Sequence, residues 1–189
     1  MVGTMTLTMT FDQVETPQLQ LTRPRMHDSL ELRSMHQDPR VMATLGGSVW
    51  PDEKCDAWLT DLATHWERHG FGWWIARGRS HGDFVGRGGL RRQMIDGESV
   101  IELGYAIRSE LWGRGLASEL ADAGLRAAFE GLHADAVVAW TLPTNLASQR
   151  VMRNAGLVFA RDMDWAGSRH VLYRITADDW LRRHDPAAP

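Results

Sequence analysis

The sequence predicts a single α/β domain, a mixed central sheet of about seven strands with helices on both faces. Three observations predict it. Short period-two runs alternate along the chain with segments of helical periodicity. One strand-like stretch, Ala136 to Leu142 (AVVAWTL), is almost continuously apolar, as a strand buried on both faces requires. A chain of 189 residues, 43% hydrophobic and 24% charged, is long enough to bury one sizeable core without disulfide or metal staples.

Residues 1–17 read as a polar N-terminal tail, 18–184 as the domain, and 185–189 as a short C-terminal tail. Gln18 to Thr22 (QLQLT) alternates and gives the first strand. His27 to His36 is a short helix, ended before Pro39. In the next helix Pro51, Asp52 and Glu53 suit the first turn. Cys55, Trp58, Leu59, Leu62 and Trp66 then form one apolar face, and Gly70 stops the helix. Phe71 to Ala76 and Asp83 to Leu90 are strands joined by a polar turn, and Val100 to Ile107 follows the Asp96-Gly97 turn signal. From Gly115 to Leu132 the residues Leu116, Leu120, Ala123 and Ala127 share a side, as on a helix packed against a sheet. After the strand at 136–142 come a helix from Asn145 to Ala155, strands at Leu157 to Met163 and His170 to Ile175, and a last helix around Asp178 to Arg183.

Composition narrows the function. A formal charge of −3 argues against a general nucleic-acid binder. No apolar run approaches the roughly 18 residues of a membrane span, and the N-terminal residues do not read as a secretory signal. The lone cysteine, Cys55, fits a reducing cytoplasm. No Cys/His cluster has metal-ligand spacing, so no metal is expected.

The chemistry begins where the strand VIELGYAI runs into LWGRGLASE (Leu111 to Glu119) and then a helix. Gly113 and Gly115 free the backbone N–H groups to close around an anion at a helix N-terminus, and Arg114 adds a cation. A tight turn using glycine for geometry alone is the plainer reading. Two sharper rivals fail on the residues themselves. A P-loop needs a lysine after its last glycine, and Lys54 is the only lysine in the chain. A dinucleotide fingerprint needs a third glycine where Ser118 stands, and an acid at the end of the next strand, which ends in TLPTN instead.

The run resembles the acetyl-coenzyme A-binding segment of the GNAT superfamily, and more particularly the WGxGxAxE pattern of its ribosomal-protein N-terminal acetyltransferase-like branch. Trp112, Gly113, Gly115, Ala117 and Glu119 match that pattern, although Trp112 stands where the wider superfamily more often has Gln or Arg. DPRVMATLGG, GFGWW, GRGGL, ELGYAI and TLPTNLASQRVMRNAGL extend the likeness from about Leu19 to Trp180, with Asn154 and Leu157 departing from the usual lysine and phenylalanine. The resemblance implies a GNAT-like domain that uses acetyl-CoA as cosubstrate to acetylate a primary amine, a peptide N-terminus or a small amine, in a ternary complex. A monomer or homodimer acting without nucleic acid or membrane is expected, and the alternative is a non-catalytic coenzyme A-binding or sensing module of the same fold.

Site residues follow from that reading. Backbone groups of Tyr105, Ala106 and Ile107 would pair with the cofactor's amides and hold the oxyanion. Trp112, Gly113, Arg114, Gly115, Leu116, Ala117 and Ser118 would hold its pyrophosphate. Strand alternation puts Glu102 on the face opposite Ile101, Leu103 and Ile107, where a carboxylate would serve as general base; a solvated outward position is the other reading. Asp164 and His170 are lesser candidates. No tyrosine lies on the helix after TLPT; the resemblance to the branch, with its N-x-x-S run, implies that Ser148 takes the acid's place and that Asn145 bonds the pantetheine. Asn as N-cap with Ser at N3 accounts for the same pair without function. Adjacent Trp73 and Trp74 face opposite sides, so one of them can line the acceptor pocket. Arg87, Arg91 and Arg92 read first as solvated arginines and second as partners for an acceptor's carboxylate or phosphate.

Overall fold

The computed structural model describes residues 11–184. Its elements are β1 (Gln13–Glu15), β2 (Leu19–Thr22), α1 (Ser29–His36), α2 (Pro39–Thr44), α3 (Asp52–His69), β3 (Trp73–Gly78), β4 (Phe84–Ile95), β5 (Glu98–Ile107), α4 (Leu116–Arg126), β6 (Ala136–Thr141), α5 (Leu146–Asn154), β7 (Val158–Trp165), β8 (Ser168–Thr176) and α6 (Ala177–His184). Eight strands form one sheet in the order β1-β2-β3-β4-β5-β6-β8-β7. Every neighbouring pair is antiparallel except β5 and β6, which are parallel and meet at a single register pair, Glu102 with Val138.

The strong sequence patterns become the elements they predict. In α3, Cys55, Leu59, Leu62 and Trp66 are buried, and Gly70 ends the helix at φ 73° with its N–H on the Trp66 carbonyl. In α4 the predicted stripe is buried, and the helix continues as a π turn over Ala127–Gly131. The main core joins α4 to β4, β5 and β6 through Leu90, Leu103, Leu120, Leu125 and Val137. A smaller cluster of Leu32, Met35, Val41 and Leu59 packs α1–α3 over Ile75, Phe84 and Ala106. Each such fully buried leucine or isoleucine contributes about 1.5–3 kcal/mol relative to exposure.

Two elements differ from expectation. Strand β1 lies inside the stretch read as a polar tail. Its three residues are too few to show alternation, and it is held by pairing with β2 and by Phe11, whose carbonyl accepts the Trp74 indole N–H at 2.7 Å. The sheet therefore has one strand more than predicted. Pro39, read as the stop of one helix, also starts the next: Asp38 caps α2 by accepting the Arg40 N–H, and proline suits the first helical position. Among the described residues no helix is long and apolar enough to cross a membrane.

Candidate active site

Beyond the Glu102–Val138 pair, β5 and β6 part, and the gap opens into a cavity of about 570 Å³. It runs from the turn before α4, past the C-terminal half of β5 and the start of α5, to a deep end walled by Trp50, Trp58 and Trp73. The principal site residues named from the sequence line it: Glu102, Tyr105, Ala106, Ile107, Trp112 to Ser118, Asn145 and Ser148. His170 lines it too, whereas Asp164 faces solvent.

At the outer end, Gly113 and Gly115 both adopt φ 79°, a left-handed backbone that a side chain would strain. A Cβ on either glycine would meet nothing within 4 Å, so conformation and open space, rather than crowding, call for glycine. Gly115 leads into α4, whose first N–H groups have no partner within the helix. Open space over amide donors at a positive helix end, with exposed Arg114 beside them, fits a diphosphate. Trp112 is 46% exposed and donates its indole N–H to the Ile107 carbonyl at 2.8 Å, fastening the turn to the end of β5. Glu119, in the first turn of α4, accepts from Thr16 Oγ1, from the Gln18 backbone N–H at 2.6 Å and from Gln18 Nε2 at 2.7 Å, so the β1–β2 connection anchors the same turn.

At mid-cavity, Asn145 caps α5 by accepting the Ser148 N–H at 3.1 Å, and its Nδ2 donates to the Thr44 carbonyl at 3.1 Å. The capping role is thus filled within the chain, and the side-chain amide also ties α5 to the end of α2. Ser148 Oγ lies 3.1 Å from the Tyr105 hydroxyl, which also reaches the Ser148 carbonyl at 3.2 Å. Sequence reasoning used Tyr105 only for its backbone. Its phenol comes from β5 rather than from α5, and burial pushes its pKa up to about 12, so it stays protonated.

Glu102 is not a solvated strand residue: it is 7% exposed. Burial raises its carboxyl to about 7, and the charges of Arg91 and Arg87 together with Gln93 restrain that rise. Its Oε2 has no hydrogen-bond partner. Strand alternation put Glu102, Gly104 and Ala106 on one face correctly, but gave no sign that α1–α3 cover that face.

The deep end corrects the reading of Arg87. It is buried rather than solvated, with its guanidinium 4.9 Å from the centre of the Trp58 ring and 4.4 Å from that of Trp73. Arg91 instead pairs with Asp61, and Arg92 reaches Ser99 Oγ at 3.2 Å. Of the adjacent tryptophans, Trp73 lines the cavity and Trp74 lies in the core.

Residues 18–158 match the family described as "Acetyltransferase (GNAT) domain". The chain is 31% identical to the FsC-acetyl coenzyme A-N(2)-transacetylase of Aspergillus fumigatus, over 92% of this chain and 80% of that protein. Among solved structures, an acetyltransferase from Agrobacterium tumefaciens superposes with a TM-score of 0.77 at 24% identity, covering 92% of this chain and 99% of that one. The RimL ribosomal L7/L12 α-N-protein acetyltransferase, solved in complex with coenzyme A, superposes with a TM-score of 0.71 at 15% identity, covering 88% and 99%. The two superpositions speak for the fold. The family match takes in β2 to α5, the elements that build the cavity, and with it the chain belongs to the GNAT family of N-acetyltransferases.

Proposed function

We propose that the protein transfers the acetyl group of acetyl-coenzyme A directly to a primary amine, with both substrates held together in the one cavity. The observation that carries this reading is the confluence in that cavity of an anion-binding turn, a buried carboxylate with a raised pKa, and a hydroxyl pair. The names of the relatives agree: one bears acetyl coenzyme A and N(2)-transacetylation, the other was solved with coenzyme A.

The roles follow from what the reaction lacks in water. An alkylammonium, with a pKa of about 10.4 for a lysine-like amine, must lose a proton before it can attack. Glu102, ionised above about pH 7, takes that proton directly or through a water. As the amine nitrogen bonds to the carbonyl carbon, backbone N–H groups at Tyr105 to Ile107 stabilise the oxyanion. The carbon–sulfur bond then breaks, and the thiolate takes a proton from Ser148 Oγ, backed by the Tyr105 hydroxyl beside it. The adduct nitrogen gives up its second proton to solvent to leave the neutral amide, and the hydroxyl pair regains its proton from solvent. Holding both reactants in the parted strands supplies much of the remaining rate.

A module that only bound coenzyme A would keep the glycine turn and have no use for a buried carboxylate with one oxygen left without a partner. Glu102 therefore favours catalysis. The acceptor class from the sequence, a peptide N-terminus or a small amine, carries over. The test has two stages. Acetyl-CoA at saturation must raise the melting temperature, since a ligand of the native state stabilises it. An amine screen that follows free thiol must then find turnover. Absence of both overturns the proposal, and stabilisation without turnover supports the binding module.

A further inference from the structure

We infer that the deep end of the cavity is a binding site for an oxyanion on the acceptor, and that the acceptor is an amino-acid-like molecule with a carboxylate beside its amine. This rests on the acetyl-transfer reading above and narrows its substrate. Arg87 is 4% exposed and lines the cavity. Among the described residues no carboxylate lies within 4.0 Å of its guanidinium, and Glu102 acts on it only through its charge across a longer gap. Its Nη2 has only His36 Nε2, at 3.4 Å, and its Nε has no partner. Burying a guanidinium without a directly paired anion is strongly unfavourable. The indoles of Trp58 and Trp73 offset part of that through their faces, but they offer nothing to the planar edge of N–H donors. A carboxylate accepts that edge through two parallel hydrogen bonds.

The spacing to Glu102 suits one small zwitterion. Along the β4–β5 pairing, Arg87 stands opposite Ala106, Gly89 opposite Gly104, and Arg91 opposite Glu102. Arg87 and Glu102 thus share a face four positions apart, roughly 13 Å between Cα atoms, and their long side chains close much of that span. Midway, Gly104 has no side chain because Trp73 covers it: a Cβ there would lie 2.4 Å from the indole ring. Trp73 Nε1 is also buried without a partner, a further donor at this end. Trp50 and Trp58 wall the pocket, their rings 5.9 Å apart. An amine at Glu102, an oxyanion at Arg87 and a flat or apolar side chain against the indoles fill what the chain leaves unsatisfied.

Sites that read a polar group discriminate strongly against analogues that lack it, because the donors are then left unpaired. Two arms test this on the intact protein. In the first, phenylalanine, tryptophan and leucine are compared with phenethylamine, tryptamine and isoamylamine as acceptors. The amino acids are expected to show kcat/KM at least about 100-fold higher, and Arg87→Met to shrink that ratio below about tenfold. Arg87→Lys, which keeps the charge and loses the planar fork, should fall between. In the second arm, calorimetry on the wild-type protein compares 3-phenylpropionate and indole-3-propionate with their alcohols. The carboxylates should bind and the alcohols should not. Decarboxylated amines used as well as their amino acids, or carboxylates that bind no tighter than the alcohols, would overturn the oxyanion site and leave acetyl transfer standing. Loss of acetyl-CoA stabilisation together with absence of any turnover would overturn the underlying reading instead.

Discussion

The Tyr105 hydroxyl lies 3.1 Å from Ser148 Oγ, joining the middle of the sheet to the first turn of α5. The two residues are 43 positions apart, and only the packing of α5 beside the parted strands brings them together. A phenol held near pKa 12 by burial is a poor proton source by itself but a steady hydrogen-bond donor, so it can replenish a serine that has lost its proton. Tyr105→Phe and Ser148→Ala are each expected to lower kcat by about 10²-fold, within the range of general-acid effects. If they act as one relay, as proposed, the double variant should lose little more than either single one. Fully multiplicative losses, measured by steady-state kinetics, would dissolve the pair.

In the proposed mechanism Glu102 sets the pH dependence. A base must be ionised to work, and burial places this carboxyl at about 7, so kcat/KM should rise with pH through that value and level off above it. Glu102→Gln is expected to lower kcat/KM by 10²-fold or more and to erase the limb near 7, leaving only the titration of the acceptor amine. An unchanged limb in the variant would move the base to another group, with His170 the next titratable residue on the cavity wall.

How far these residues could be read from the sequence follows from the range of the interactions that place them. The faces of α3 and α4 and the glycine turn before α4 are set by neighbours within a few positions, and all were legible. Glu102 was legible as to side but not as to burial, because its cover comes from helices some 50 residues earlier in the chain. Arg87 was misread for the same reason: an arginine in a period-two strand signals solvent, unless Trp58 and Trp73 arrive from separate elements to enclose it. Strand β1 and the Glu119 anchor escaped notice because three residues carry no period, and because a carboxylate that ties two distant segments leaves no local pattern.

Gly115 offers a test of the anion site. Alanine there meets no atom of the chain within 4 Å, so its cost to the free protein is confined to the backbone, about 1 kcal/mol for a left-handed residue. In the proposed placement the added methyl would enter the space of the diphosphate. Gly115→Ala should therefore lower the unfolding midpoint by a few degrees and weaken acetyl-CoA at least tenfold by calorimetry. Weakening no greater than the stability loss would place the diphosphate elsewhere.

His65 predicts acid sensitivity away from the site. Its Nδ1 bonds the Phe71 carbonyl at 2.9 Å and its Nε2 accepts the Arg92 N–H at 3.0 Å, an arrangement that only the neutral ring with its proton on Nδ1 satisfies. Burial, then the charges of His69 and Arg91, lower its pKa to about 4. The unfolded chain takes up a proton near 6.5 and the folded one does not. Stability from this residue is therefore complete above about pH 6.5 and is lost as pH falls toward 4, on the order of 3 kcal/mol in all. His65→Gln, with one donor and one acceptor and no titration, should flatten the fall in melting temperature between pH 6.5 and 4.5. A variant whose melting temperature drops as steeply as the wild type's would assign the acid sensitivity to another group, with buried His36, depressed to about 3, the first to examine.

The Glu119 anchor couples the first two strands to the glycine turn before α4. Its carboxylate accepts three hydrogen bonds from Thr16 and Gln18, and each bond to a charged group is worth about 1.5–3 kcal/mol to make and more to strand. Glu119→Ala is expected to destabilise the fold by about 2–4 kcal/mol, with the loss seen as faster amide exchange in β1 and β2. The same change frees the start of α4, which lines the cavity, so acetyl-CoA affinity should fall although Glu119 itself does not line it. Glu119→Gln retains the acceptor oxygen and should recover most of the affinity. If both variants bind acetyl-CoA like the wild type, the β1–β2 connection buttresses the sheet alone, and the turn holds its shape through its glycines.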